Sequence, residues 1–271
     1  MDDLELARLE HENMIETIAI TGSQVPGGRV ERHDGVVLIL TGLPVLLFNQ
    51  VIVEEDATRP EAIAAAVGQA RAAGVPFVVN LRDQIDDGHR PLMAALGLEA
   101  MPGGPWLPGM ACHPLVARGS VPVPDGHEIR RVVDAAGVAG HVTAASEGFG
   151  MPREWLELVM NERMANEPGR AVYVGFTDGV PLTAGLGVRT GRTIGVYNIA
   201  TVQSARRRGY GAAMTMRIVD DGAAEGCDTA ILQASDMGYS TYERLGFRTV
   251  VTYTGYVEPS PLAREHAGHA G

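Results

Sequence analysis

The sequence predicts an α/β protein with a mixed sheet, present as two copies in one chain of 271 residues. Three observations predict it. Short β-branched runs alternate with helix-period stretches in both halves, the pattern of a sheet covered by helices. The same order (strand, helix, glycine, strand, short helix, Leu-Gly-apolar stop) occurs in each half. Gly74 lies 152 residues before Gly226, and Leu96-Gly97-Leu98 lies 149 before Leu245-Gly246-Phe247. Between the halves, residues 101–127 are dense in proline and glycine without a regular PxxP repeat, which reads as a linker. The expected organisation is a domain over 1–100, a linker over 101–127, a domain over 128–257 and a mobile tail over 258–271.

In chain order, residues 2 to about 20 read as a helix, with Leu4, Leu6, Leu9, Met14, Ile15 and Ile18 on an imperfect apolar stripe. Residues 36–40 and 45–53 read as strands joined across Thr41-Gly-Leu-Pro44. Residues 59–73 form a helix with Pro60 near its first position and Gly74 after its end. A strand over 75–81 and a short helix over 91–96 close this half. In the second half, 129–133 is strand-like, and 132–148 and 152–166 read as two helices. A hairpin joins 171–177 to 180–188 across Asp178-Gly179, a good tight-turn pair. A strand over 193–202 precedes a helix from about Arg207, with Met214 and Ile218 on one stripe and Ala212, Met216 and Val219 beside it. A buried strand over 229–233, a helix capped by Ser235 or Asp236 and a strand over 249–257 complete the chain.

Composition excludes several classes. A net charge of −11 argues against non-specific nucleic-acid binding, which needs an excess of Lys and Arg. Cys112 and Cys227 have neither metal spacing nor a disulfide framework and read as reduced structural thiols. His113 and His127 stand alone, so solvated or structural roles are expected and no metal is. The N-terminus is acidic and amphipathic, with no basic n-region, and no stretch reaches transmembrane length. A cytoplasmic protein is expected.

The chemistry points to one turn, Arg206-Arg207-Arg208-Gly209-Tyr210-Gly211. Cations at a helix start oppose the macrodipole, and glycines weaken the first turn. Both choices make sense if an anion sits there. Gly209 and Gly211 let a ligand approach the backbone, free N–H groups point outward, and arginine supplies countercharge. The plainer alternative is a solvated basic turn.

Strand, then Arg206-x-x-Gly209-x-Gly211, then helix, resembles the acetyl-CoA-binding motif of the GCN5-related N-acetyltransferases, the GNAT family. Tyr242-Glu-Arg-Leu-Gly246-Phe247 resembles that family's last block, a tyrosine four residues before a Gly-Phe pair. The resemblance covers about 128–257 well and 1–100 weakly. It implies a GNAT fold in two tandem copies, and transfer of an acetyl group from the CoA thioester directly to a primary amine. It further implies that the cofactor lies on Ala200, Thr201 and Val202 at the end of the strand and on Arg206, Arg207, Arg208, Gly209, Tyr210, Gly211 and Ala212. In the family a bulge in that strand opens a slot for pantetheine; Asn198, a poor strand former, marks either that irregularity or a solvent-facing position. Tyr242 is the implied general acid, with a core tyrosine as the alternative. Glu147, in the region between the two helices, is the candidate base, acting through water; the alternative is a solvated glutamate.

Some positions depart from the family pattern. Gln203 stands where proline is frequent, and Ser235-Asp236 where asparagine is usual. The first copy has Glu54-Glu-Asp-Ala-Thr-Arg-Pro-Glu61 where the second has its Arg and Gly turn, and Met93 in the place of Tyr242. Acids there would repel a pyrophosphate, and Pro60 removes an amide donor, so the first copy reads as degenerate. Two further readings stay open: a transferase of another acyl or aminoacyl group with the same fold, and a non-catalytic acyl-CoA sensor. A dinucleotide-dependent oxidoreductase lacks its acidic ribose partner here. The acceptor is a small-molecule or peptide amine, and neither a membrane nor a nucleic acid is an expected partner. A monomer is the default and a homodimer the alternative, since two linked copies do in one chain what a dimer does with two.

Overall fold

The computed structural model describes residues 1–101, 107–115 and 121–259. In chain order its elements are α1 (Asp3–Gln24), β1 (Arg29–His33), β2 (Val36–Leu40), β3 (Asn49–Val53), α2 (Pro60–Ala72), β4 (Val78–Arg82), α3 (Arg90–Ala95), β5 (Glu99–Ala100) and β6 (Leu107–Cys112). There follow β7 (His127–Arg131), α4 (Ala135–Phe149), α5 (Arg153–Val159), α6 (Glu162–Asn166), β8 (Arg170–Thr177), β9 (Val180–Thr190) and β10 (Thr193–Thr201). The last elements are α7 (Tyr210–Ala224), β11 (Thr229–Gln233), α8 (Asp236–Arg244) and β12 (Arg248–Val257).

The chain forms two units, one of residues 1–17 and 110–250, the other of 18–109 and 251 onward. The division differs from the one expected at 100 and 128. The first 17 residues belong with the C-terminal unit, and the chain from 251 on belongs with the N-terminal one. Within the expected linker, residues 107–112 form β6. Pro108 and Gly109 disguise it, but Met110, Ala111 and Cys112 are buried strand residues. Residues 102–106 and 116–120 of that linker, and 260–271 of the expected tail, lie outside the described residues. At the start of the tail, Glu258 pairs with Arg71 at 2.6 Å.

In the C-terminal unit the strands lie in the order β6-β11-β10-β9-β8-β7. Strands β7 to β10 form an antiparallel meander, and β10 meets β11 in parallel across the connection through α7. The β8–β9 turn has Asp178 and Gly179 at φ 51° and 78°, the left-handed pair a two-residue hairpin requires. Ile194 and Val196 of β10 pack with Met214, Ile218 and Val219 of α7 and Leu232 of β11. Asp134 caps α4 by accepting from Gly137 N–H at 2.8 Å. The single helix expected over 152–166 is two, α5 and α6. The break falls at Met160-Asn161, where the Asn161 side chain accepts from Met164 N–H and starts a new helix.

On α4, His141 is buried, and its Nδ1–H donates to the Tyr173 carbonyl at 2.8 Å. Desolvation pulls its pKa from 6.5 down to about 4. Between these values the unfolded chain binds the extra proton, so stability rises with pH across that window and is lost as pH falls through it. The effect is about 3 kcal/mol. We expect the urea midpoint to drop between pH 7 and pH 4.5, and His141→Gln, which keeps a donor toward Tyr173, to flatten that drop. An unflattened acid limb would assign it to other groups.

The N-terminal unit repeats part of this topology. Its strand order is β1-β2-β3-β4-β12. Strand β2 is antiparallel to β3, and β3 is parallel to β4 across α2, as β9, β10 and β11 are related across α7. Val51, Val53, Val79 and Leu81 pack against Ile63, Val67 and Ala70 of α2. The strand expected over 45–53 begins only at Asn49, after a short 3-10 turn at Leu46–Phe48. The Asn49 amide forces that turn: its Nδ2 donates to the carbonyls of Leu43 and Val45, and its Oδ1 accepts from Thr41 N–H. Before α2, Glu54 pairs with Arg32 at 3.5 Å and Asp56 with Arg82 at 3.0 Å. The helix then opens on Pro60 and Glu61, with no glycine in its first turn.

Candidate active site

The site is built where β10 leaves β11. Their parallel ladder covers only Thr193 to Gly195 against Thr229 to Ile231. Two residues beyond its last rung, the register of β10 on β9 slips: Tyr197 faces Leu186, Ala200 faces Ala184, and Asn198 and Ile199 fall between. Asn198 takes φ 52° and is exposed, so it both marks the β-bulge and faces solvent. A bulge kinks its strand, and here β10 keeps β9 while parting from β11.

The amides along the end of β10 then sort themselves. Val202 N–H donates to Leu182 C=O at 3.0 Å, so this amide is occupied within the sheet. Ala200, two residues earlier and opposite Ala184, falls in the same class of rung. Thr201, opposite Thr183, falls in the other class, whose N–H turns away from β9 toward the side β11 has left. Thr201 thus offers a donor to the opening, and Val202 does not.

The turn that follows differs from the expected one. The helix starts at Tyr210, not near Arg207, because Arg207 and Gly209 take φ 59° and 87°. The first helical bond runs from Ala213 N–H to Gly209 C=O, which leaves the amides of Tyr210, Gly211 and Ala212 without partners inside the helix. The three arginines divide. Arg206 is half-buried, and its guanidinium donates to Gly148 C=O at 2.6 Å and to Thr201 C=O at 3.3 Å. It staples the turn to the ends of α4 and β10. Arg207 and Arg208 are exposed, and Arg208 lies 5.4 Å above the Tyr210 ring. That ring is buried edge-on against His127, with 4.6 Å between centroids, so Tyr210 faces a ligand with its backbone only. Burial also lowers the His127 pKa.

A pyrophosphate fits these residues. A Cβ on Gly211 would meet Thr201 Oγ1 at 3.4 Å and Ile199 Cγ2 at 3.7 Å, which are ordinary contacts. The protein itself therefore does not demand glycine there, whereas a ligand approaching the helix start would. Gly148 is demanded from within: a Cβ there would lie 2.9 Å from Ala200 Cβ and 3.1 Å from Thr201 N. It lets α4 close on the bulge. This close approach carries no sequence signature beyond a glycine late in a helix.

Tyr242 lies on α8, half-buried, with its ring edge-on to Phe247 at 6.2 Å between centroids. It packs against the same core cluster as Ile199. Gly238 beneath it has no room for a side chain, since a Cβ would sit 2.8 Å from the ring. Desolvation pushes the Tyr242 pKa up to about 12. The helix ends as expected, with Gly246 at φ 88° and Phe247 N–H donating to Tyr242 C=O at 3.0 Å. Glu147 is in the last turn of α4, not in the segment between helices, and it is exposed. It adjoins Gly148, so only its position in the chain ties it to the bulge.

Among the described residues no group of three or more His, Cys, Asp or Glu could hold a metal ion. No helix among them is long and apolar enough to cross a membrane.

Residues 142–247 match the model of the acetyltransferase (GNAT) family. No curated protein matches the chain. Among solved structures, it is similar to a GCN5-related N-acetyltransferase from Kribbella flavida at 17% identity, covering 94% of this chain and 96% of that one with a TM-score of 0.70. A GCN5-related N-acetyltransferase from Sphaerobacter thermophilus aligns at 15% identity over 84% and 81%, with a TM-score of 0.60. A tandem GNAT protein from the clavulanic acid biosynthesis pathway aligns at 12% identity over 92% and 95%, with a TM-score of 0.61. The chain therefore has the GNAT fold, and residues 142–247 form a domain of the acetyltransferase (GNAT) family.

Proposed function

We propose that the protein is an acetyl-CoA-dependent N-acetyltransferase that moves the acetyl group directly to a primary amine of a small molecule or peptide. The observation that carries this reading is the parting of β10 from β11 after Gly195, beside a helix start whose first three amides have no partner inside the helix. When bound, acetyl-CoA supplies a thioester carbonyl. The amides of Tyr210, Gly211 and Ala212 hold the pyrophosphate, with Arg207 and Arg208 as countercharge and Arg206 as the staple of the turn. Thr201 N–H is aimed at the carbonyl oxygen as negative charge develops on it. The amine nitrogen bonds to the acyl carbon, and the carbon–sulfur bond breaks. Tyr242 hydrogen-bonds the departing sulfur and hands it a proton. The amine loses its own proton to water, with Glu147, next to Gly148 at the end of α4, as the candidate base acting through that water.

The N-terminal unit is read as a degenerate copy. Its counterpart of the turn carries Glu54, Glu55, Asp56 and Pro60, a poor place for an anion. Calorimetry with CoA should give one site per chain. The double change Arg207→Glu and Arg208→Glu, which spares the Arg206 staple, should weaken that site at least about tenfold. Two sites, or unchanged affinity in the double variant, would return the N-terminal unit or another surface to consideration. The reaction itself is tested by free-thiol release from acetyl-CoA across peptides, polyamines, aminoglycosides and amino acids. Release with one amine class is expected. Failure with all, while CoA still binds, would make the protein a sensor.

A further inference from the structure

Helix α1 enters the C-terminal unit from the far end of the sequence. Three of its residues, Glu10, Asn13 and Thr17, are spaced to share one face, and all are buried. Leu6 and Ile15 show that apolar residues serve α1 well as packing, so a buried polar stripe beside them asks for a reason. That reason lies in what the stripe touches.

The last rung between β10 and β11 is Gly195 against Ile231. The next residues on the same face are Tyr197 on β10 and Gln233 on β11. The strands no longer hold each other there, and α1 holds both. Asn13 Oδ1 accepts from the Tyr197 hydroxyl at 2.7 Å. Its Nδ2 donates to Val188 C=O at 3.0 Å and to Thr190 Oγ1 at 2.8 Å, both on β9. One turn earlier on α1, Glu10 Oε1 accepts from Gln233 Nε2. Gly195 makes room for this, because a Cβ there would overlap Asn13 Oδ1. The residue after Tyr197 is Asn198, where the bulge begins.

We propose that α1 is a positioning bracket for the acyl-transfer slot, in which Asn13 fixes β10 and Glu10 fixes β11, so that the width of the opening is set by this helix. The inference rests on the acyltransferase reading of the site. A satisfied buried network is directional, whereas apolar packing tolerates sliding, so hydrogen bonds suit a gap whose two sides must stay in register. None of these hydrogen bonds of the bracket involves the turn over 206–211. Its loss should therefore misplace the Thr201 amide while leaving the grip on CoA.

The test uses the full chain with Tyr197→Phe, which removes one hydroxyl, and Asn13→Leu, with Asn13→Asp as the variant that keeps the acceptor for Tyr197. In the unliganded protein, amide exchange over 196–201 and 232–235 should rise about tenfold or more in the first two and be partly restored in the third. Calorimetric affinity for CoA should stay within about threefold of wild type. With carbonyl-labelled acetyl-CoA, the infrared red-shift of the bound thioester should fall by about half or more in Tyr197→Phe. Unaltered exchange and an unaltered carbonyl band in a folded Tyr197→Phe would overturn the bracket. If the wild type binds no acetyl-CoA, the acyltransferase reading fails on its own, and the exchange measurement still decides whether α1 fixes the two strands.

Discussion

Tyr242→Phe should lower kcat by roughly 10²-fold and leave CoA affinity nearly unchanged. The substitution keeps the ring that packs against Phe247 and over Gly238, so the fold is spared and only the hydroxyl is lost. Burial sets the direction of the companion pH effect. A phenol held near pKa 12 stays protonated through the neutral and mildly alkaline range. The wild type should therefore show no alkaline fall in kcat from this residue below about pH 11, the fall coming only as pH approaches the raised pKa. The raised pKa also makes Tyr242 a reluctant acid, so on this mechanism much of its effect would come from hydrogen-bonding the sulfur anion before the proton moves. Pre-steady-state kinetics with the best amine checks both points. A kcat equal to wild type, measured where chemistry limits the rate, would make Tyr242 a packing residue.

Gly211→Val should weaken CoA binding at least about tenfold. The neighbouring Gly209 is a poorer probe, because φ 87° strains any side chain whatever the ligand does. Gly211 carries no such constraint, and a Cβ there meets its neighbours at ordinary distances. The variant should melt close to wild type, so a lost affinity would report the space in front of the helix start. Calorimetry on Gly211→Ala and Gly211→Val gives a graded series. Affinity untouched in both would move the pyrophosphate off this turn.

Local patterns made much of the fold readable. The Asp178-Gly179 hairpin and the Gly246 stop after α8 each follow from a few adjacent residues and stand where the sequence puts them, and α7 carries its apolar stripe although it starts at Tyr210 and not near Arg207. The repeated order of elements reappears as a repeated strand pairing, β2-β3-β4 matching β9-β10-β11. What escaped is long-range or masked. Nothing near Asn13 announces a partner at Tyr197, 184 residues away. Proline and glycine in β6 hid a strand whose burial is decided by its neighbours. Asn161 looks like an interior residue of one amphipathic helix until its side chain caps a second.

The candidate site was legible to a similar degree. The glycine turn and the irregular Asn198 could be read because unusual residues stand in predictable elements. The division of labour among the arginines could not. Arg206 looks like Arg207 and Arg208 in sequence, and only the carbonyls of Gly148 and Thr201 set it apart as a staple.

The placement of β12 bears on how the chain is made. Tyr253 to Tyr256 pair with Val79 to Arg82, as Gly255 does with Asn80 across 175 residues. Every residue of β4 is buried in the finished fold. During synthesis that edge emerges long before its mate. At ribosomal rates of roughly 5–20 residues per second, it waits about 10–35 s with its backbone groups open. An open apolar edge is a template for wrong pairing. The nascent chain is therefore expected to keep this edge open until residues 253–256 have been made, and a chaperone that covers it in that interval would suppress wrong pairing.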